Sequence, residues 1–99
     1  MMNNITLRPQ DLEILEKLVE KELDTITNRN ENDGNILTEI NAIIQGCEVK
    51  IELGLILYLN DNVKIDLYDV IVINKDGNVI ECNNFNDVND ILTDRMGTL

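Results

Sequence analysis

The side chains of this 99-residue chain that could do chemistry are mostly carboxylates: nineteen Asp and Glu against eight Lys and Arg, a formal net charge of -11, and no histidine, serine or tryptophan. Without serine there is no serine nucleophile. Without histidine the usual general base, the usual zinc ligand and the physiological-pH switch are missing. Two thiols remain, Cys47 and Cys82. A cysteine nucleophile needs a base or a cationic neighbour to lower its pKa, whereas both cysteines fall in strand-like segments and Cys47 is in phase with apolar residues. They read as reduced, buried thiols of a cytosolic protein. No Cys-x-x-Cys, Gly-x-Gly-x-x-Gly or phosphate-loop pattern occurs, so redox, dinucleotide and nucleotide-triphosphate chemistry have no local signal. Carboxylates three or four apart on a helix form a solvated face more readily than a catalytic pair, and a glycosidase would need a larger cleft than so small a domain can spare. The expectation is a protein that is not an enzyme, with no catalytic residue, cofactor or metal.

The Asn-rich stretch from Asn28 to Asn35 invites a calcium reading, because an EF-hand loop places oxygen ligands at alternate positions, glycine at the sixth and glutamate at the twelfth. Starting at Asn28 supplies Asn28, Asn30, Asn32 and Glu39 but sets Asp33 on the glycine position; starting at Arg29 restores Gly34 but replaces the outer ligands by Arg29 and Ile40. Neither register satisfies the loop, which reads as a plain connection.

What carboxylates in this number can do is attract a cation. Direct nucleic-acid binding is disfavoured, because the basic residues are scattered among the acids and neutralising phosphates requires clustered Lys and Arg. A basic partner protein is the natural complement, whether a nucleic-acid-binding protein or a toxin. Helical spacing gathers Glu13, Glu16, Glu20 and Asp24 into one stripe and Asp87, Asp90 and Asp94 into another, with neighbouring carboxylates roughly 5 to 6 Å apart, on the scale of nucleic-acid phosphates. Lys17, Lys21 and Arg95 interrupt these stripes, and acidity that serves solubility alone is the competing reading. In size and charge the chain resembles phage inhibitors of nucleic-acid enzymes, anti-CRISPR proteins, other DNA mimics and toxin-neutralising immunity proteins or antitoxins. The likeness is one of profile and covers no motif.

The elements that must position these acids follow from periodicity. Leu12, Leu15, Val19, Leu23 and Ile26 mark a helix over about 9–28, opened by Pro9 and by Asp11 near the positive end of the helix dipole. Ile36, Leu37, Ile40, Ile43 and Ile44 recur at helical spacing between Asn35 and Gly46, predicting a short second helix, although their β-branched content also suits a strand. From Cys47 to Leu59 the period is two, predicting a long strand. A three-residue turn at 60–62 would pair Leu59 with Val63 and Leu57 with Ile65. Beyond Leu67, a bulge near Tyr68 and Asp69 would turn Val70 and Val72 inward. Asn74 to Gly77 reads as a type I turn into a third strand ending at Cys82, and Phe85, Val88, Ile91, Leu92 and Met96 mark a last helix capped by Asn83 or Asn84.

The fold class expected is therefore α+β: one small domain over 1–99, in the order α-α-β-β-β-α, its three-stranded antiparallel meander carrying the helices mainly on one face. Residues 1–7 are expected to form a flexible segment or to cover the second sheet face, where Ile56, Tyr58, Ile71 and Ile73 would otherwise form an apolar interface suited to a homodimer or structural module. With 43% hydrophobic residues, no basic region followed by an apolar stretch at the N-terminus, and no apolar run near membrane-spanning length, a cytoplasmic location without membrane contact is expected.

Overall fold

A computed structural model describes residues 3–27, 34–57 and 63–96. Seven elements follow one another: β1 (Asn4–Ile5), α1 (Pro9–Thr27), β2 (Gly34–Ile44), β3 (Cys47–Leu57), β4 (Val63–Ile73), β5 (Val79–Cys82) and α2 (Phe85–Met96). The strands form one mixed sheet in the order β1-β5-β4-β3-β2, antiparallel from β2 to β5, with β1 parallel to β5. Among the described residues no helix is long and apolar enough to cross a membrane.

Both outer helices form where periodicity places them. In α1, Leu15, Val19 and Ile26 are completely buried. Its start is fixed by Asp11 at the third helical position, whose Oδ2 accepts the Arg8 backbone N–H at 2.9 Å, half of a capping box. In α2, Val88 and Leu92 are buried, while Phe85 is 41% exposed and lies outside the core stripe it was expected to join.

The segment expected as a second helix is strand β2, so the three-stranded meander becomes four-stranded. Ile36, Ile40 and Ile44 face the helices with Thr38 and Ala42 between them; Leu37 and Ile43, which a helical stripe would have buried, are 86% and 73% exposed. Gly46, read as a helix stop, instead forms with Gln45 the two-residue turn of a hairpin: their φ values of 80° and 53° are those of a type I′ turn. A left-handed glycine serves either purpose, so the residue alone does not discriminate. Gly46→Ala is expected to cost about 1–2 kcal/mol through left-handed strain, since its Cβ would also sit 2.7 Å from Lys75 Cε; a shift in the urea unfolding midpoint reads this directly.

β3 lies between β2 and β4, and its six helix-facing residues from Cys47 to Leu57 are each at most 3% exposed. It pairs with β4 two residues short of the expected register: Leu57 with Val63 and Leu55 with Ile65, leaving residues 58–62 as the connection. Tyr58 and Leu59 lie outside the described residues. The expected bulge exists, displaced to Asp66, between the pairs Leu55–Ile65 and Gly54–Leu67. It turns Val70 and Val72 inward as anticipated, and it also turns Leu67 outward, to 59% exposure. The physical reason is Asp69: unbroken alternation from Ile65 would bury its carboxylate without a partner, and one extra residue sends it to solvent.

The N-terminal segment does not cover the second sheet face. It runs beside β5: the Asn83 backbone N–H donates to Ile5 O at 2.8 Å, and the Asn84 side chain accepts from Leu7 N–H and donates to Leu7 O, both at 2.9 Å. Ile5 and Leu7 are thereby drawn into the core. α1 then carries the chain from the β1 edge of the sheet to the β2 edge, across the helix-facing side.

Candidate functional site

Register decides which side chains meet on the sheet face away from the helices. Leu37, Gly54 and Leu67 lie side by side on β2, β3 and β4. Because Gly54 has no side chain, Leu67 leans over it, with Cγ and Cδ1 both 3.0 Å from where a Cβ would stand. The result is a shallow depression of about 370 Å³ between exposed Leu37 and exposed Leu67. The neighbouring row on the same three strands is Glu39, Glu52 and Asp69, and all three line that depression and are exposed.

Three carboxylates on adjacent strands, roughly 4.8 Å apart in the pairing direction, repel one another. Glu39 accepts a hydrogen bond from Asn41 Nδ2 at 2.9 Å. Among the described residues the ion pairs are Arg8–Asp11 and Lys17–Glu13, so none of the three carboxylates has a cation within 4 Å. The face as a whole is negative: Glu48 and Glu81 add to the row, against Lys50 and Lys64. Among the described residues no group of three Cys, Asp or Glu side chains converges to hold a metal ion.

Comparison with known protein families, curated proteins and solved structures finds no match to this chain.

The acids singled out by helical spacing occupy their helices as follows. Glu13, Glu16 and Asp24 are exposed on α1 and Glu20 is half-buried, but Lys17 Nζ bonds Glu13 at 3.0 Å and partly neutralises the stripe. On α2, Asp87 and Asp90 are exposed, and Asp87 accepts from Asn84 Nδ2 at 3.1 Å; the Asp94 side chain lies outside the described residues. The apolar set is not brought together. Ile71 and Ile73 lie beside Lys50 and Glu48, whereas Ile56 is beside Lys64, about 20 Å along β3 from Lys50 at ~3.3 Å per residue.

Neither thiol is in a disulfide; Cys47 is buried as expected, whereas Cys82 is only half-buried. Cys47 is in the core, and burial pushes the Cys82 thiol up, with the Asp87 carboxylate adding to the effect, which keeps it in the unreactive protonated form.

The acidic row escapes sequence reading because it needs β2 to be a strand and β4 to carry its bulge at Asp66. One local signal was present: Ile36, Thr38, Ile40 and Ile44, four of the six helix-facing positions of β2, are β-branched.

Proposed function

We propose that this protein is a small acidic, non-enzymatic binding protein that masks a basic, nucleic-acid-binding surface of a partner protein, and that the outer sheet face is its contact. The observation that carries this reading is the row Glu39–Glu52–Asp69, which makes no ion pair among the described residues and is set beside the Leu37–Gly54–Leu67 depression. Like charges directly opposite one another destabilise a sheet. A partner's Lys or Arg relieves that repulsion with its head while its aliphatic stem lies in the depression. Clustered Lys and Arg are what phosphate-binding surfaces present, and binding of this kind weakens as salt screens the charges.

The test is capture of partners from the native host lysate on immobilised protein at low salt, followed by affinity measurements on what is recovered. A basic nucleic-acid-binding protein is expected. Its affinity should fall about 10- to 100-fold for the variant Glu39→Gln, Glu52→Gln, Asp69→Asn, with a shallower salt dependence. The α1 variant Glu13→Lys, Glu16→Lys, Glu20→Lys, Asp24→Lys should bind more tightly than the sheet variant. Wild-type affinity in the sheet variant, or recovery of partners without a basic surface, would end this reading.

A further inference from the structure

The two edges of the sheet are unequal. β1 is two residues long, whereas β2 runs for eleven residues without proline or lysine, the features by which edge strands are normally blunted. The hairpin with β3 starts from the tight turn at Gln45 and Gly46, and its pairing is unbroken from Ile44–Cys47 to Gly34–Leu57. Because the pair flanking a two-residue turn is hydrogen-bonded, alternation directs the backbone groups of the even-numbered residues toward β3 and those of Leu37, Glu39, Asn41 and Ile43 outward. Among the described residues no loop or side chain bonds these outward backbone groups.

We propose that this edge is the interface between two copies of the chain, paired antiparallel about a two-fold axis through Ile40 to give one continuous ten-stranded sheet. The occupant is identified by self-complementarity. With Ile40 opposite its own copy, Leu37 faces the second copy's Ile43 and Ile43 faces its Leu37, so the two most exposed aliphatic side chains of the strand cover each other twice. Glu39 faces the second copy's Asn41, an amide that already donates to Glu39 within one chain. On the helix side Ile36 meets Ile44 and Thr38 meets Ala42, so every cross-strand pair is compatible. Shifting the axis to residue 39 opposes Glu39 to itself, and shifting it to 41 sets Leu37 against Gln45 and Ile43 against Glu39. Only the Ile40 register gives the outward backbone groups partners while pairing apolar with apolar. This surface is the strand edge, which shares Leu37 and Glu39 with the acidic face, but its salt dependence has the opposite sign: two copies of charge -11 repel, so self-association strengthens as salt rises.

Sedimentation equilibrium of the full chain, over micromolar to millimolar concentration at low and high salt, tests this. A monomer–dimer equilibrium that tightens with salt is expected. Leu37→Lys with Ile43→Lys should raise the dissociation constant by on the order of 100-fold while leaving the melting temperature of the monomer unchanged, because both positions are exposed. The two introduced lysines face each other across the seam, so like-charge repulsion adds to the loss of apolar contact even though the net negative charge falls. An equimolar mixture of Leu37→Cys and Ile43→Cys should form a disulfide between the two variants faster than either variant alone does with itself. A chain that stays monomeric at high salt, a lysine variant that dimerises like wild type, or a mixture that cross-links no faster than its components overturns the proposal.

Discussion

Ile40→Ala is expected to cost about 2–4 kcal/mol of folding stability and Ile43→Ala less than about 0.5 kcal/mol. The two residues are three apart, chemically identical, and would share the buried stripe of a helix. In the strand they face opposite sides of the sheet. Ile40 is 6% exposed and opposite Ile51, which is 1% exposed, whereas Ile43 is 73% exposed. Deleting Ile40 leaves a cavity against β3 that neighbouring side chains only partly fill, while truncating Ile43 removes atoms already in water. Against a total stability of about 5–15 kcal/mol, the first loss is large and the second is near the error of extrapolation. Paired urea unfolding curves measure both, with similar slopes expected because neither change alters the surface exposed on unfolding. Equal losses at the two positions would mean that residues 36–44 are not held as a strand.

The same nine residues show where sequence reading succeeds and fails. Ile36, Leu37, Ile40, Ile43 and Ile44 fit a helical stripe completely; as a strand, only Ile36, Ile40 and Ile44 fit, with Leu37 and Ile43 out of phase. Local periodicity therefore favours the wrong element, and the outcome is settled by a neighbour: β3 offers a long row of backbone partners across a two-residue turn, and pairing outweighs the exposure of two aliphatic side chains. α1, β3 and α2 were legible because their apolar residues fit one period only. The bulge in β4 was legible from Asp69, whose burial is too costly, but its position was not, since that depends on the length of the connection from β3. The consequence for the site is direct. The expected register, with Leu57 opposite Ile65 and a bulge at Tyr68 and Asp69, would have set Val70 opposite Leu53 and Ile71 opposite Glu52. The observed one sets Asp69 opposite Glu52. Acidic stripes on helices are local and visible in sequence; an acidic row across three strands is non-local and emerges only with the register.

Asp11→Ala is expected to cost about 2 kcal/mol at neutral pH and to flatten the acid limb of the stability curve. The side chain is almost completely buried at the start of α1, where its carboxylate accepts from Arg8 N at 2.9 Å, Arg8 Nε at 2.9 Å, Arg8 Nη2 at 3.0 Å and Gln45 Nε2 at 3.0 Å. The hydrogen-bonded Arg8 guanidinium outweighs burial and holds the carboxyl down, from 3.8 to about 2. A carboxylate whose pKa is lower in the folded than in the unfolded chain stabilises the fold fully above the unfolded value, and that contribution is lost as pH falls from about 4 toward 2. The side chain of Arg8 is 54% exposed, so solvent screening reduces this pH-dependent part to about 1–2 kcal/mol. Thermal or urea unfolding of wild type and variant between pH 2 and pH 7 isolates it, because the other carboxylates are common to both proteins: the difference should be largest above pH 4 and shrink on acidification. The contact also reaches the β2–β3 hairpin. Gln45 sits at a φ of 53°, a conformation unfavourable for a side-chain-bearing residue, and is tied there by bonds from Nε2 to Asp11 and to Thr6 O. If that tie offsets the strain, Asp11→Ala should lose about 0.5–1 kcal/mol less in a Gln45→Gly background than in wild type. Simple additivity of the two changes would place all of Asp11's effect at the start of α1 and none in the turn that sets the β2 edge.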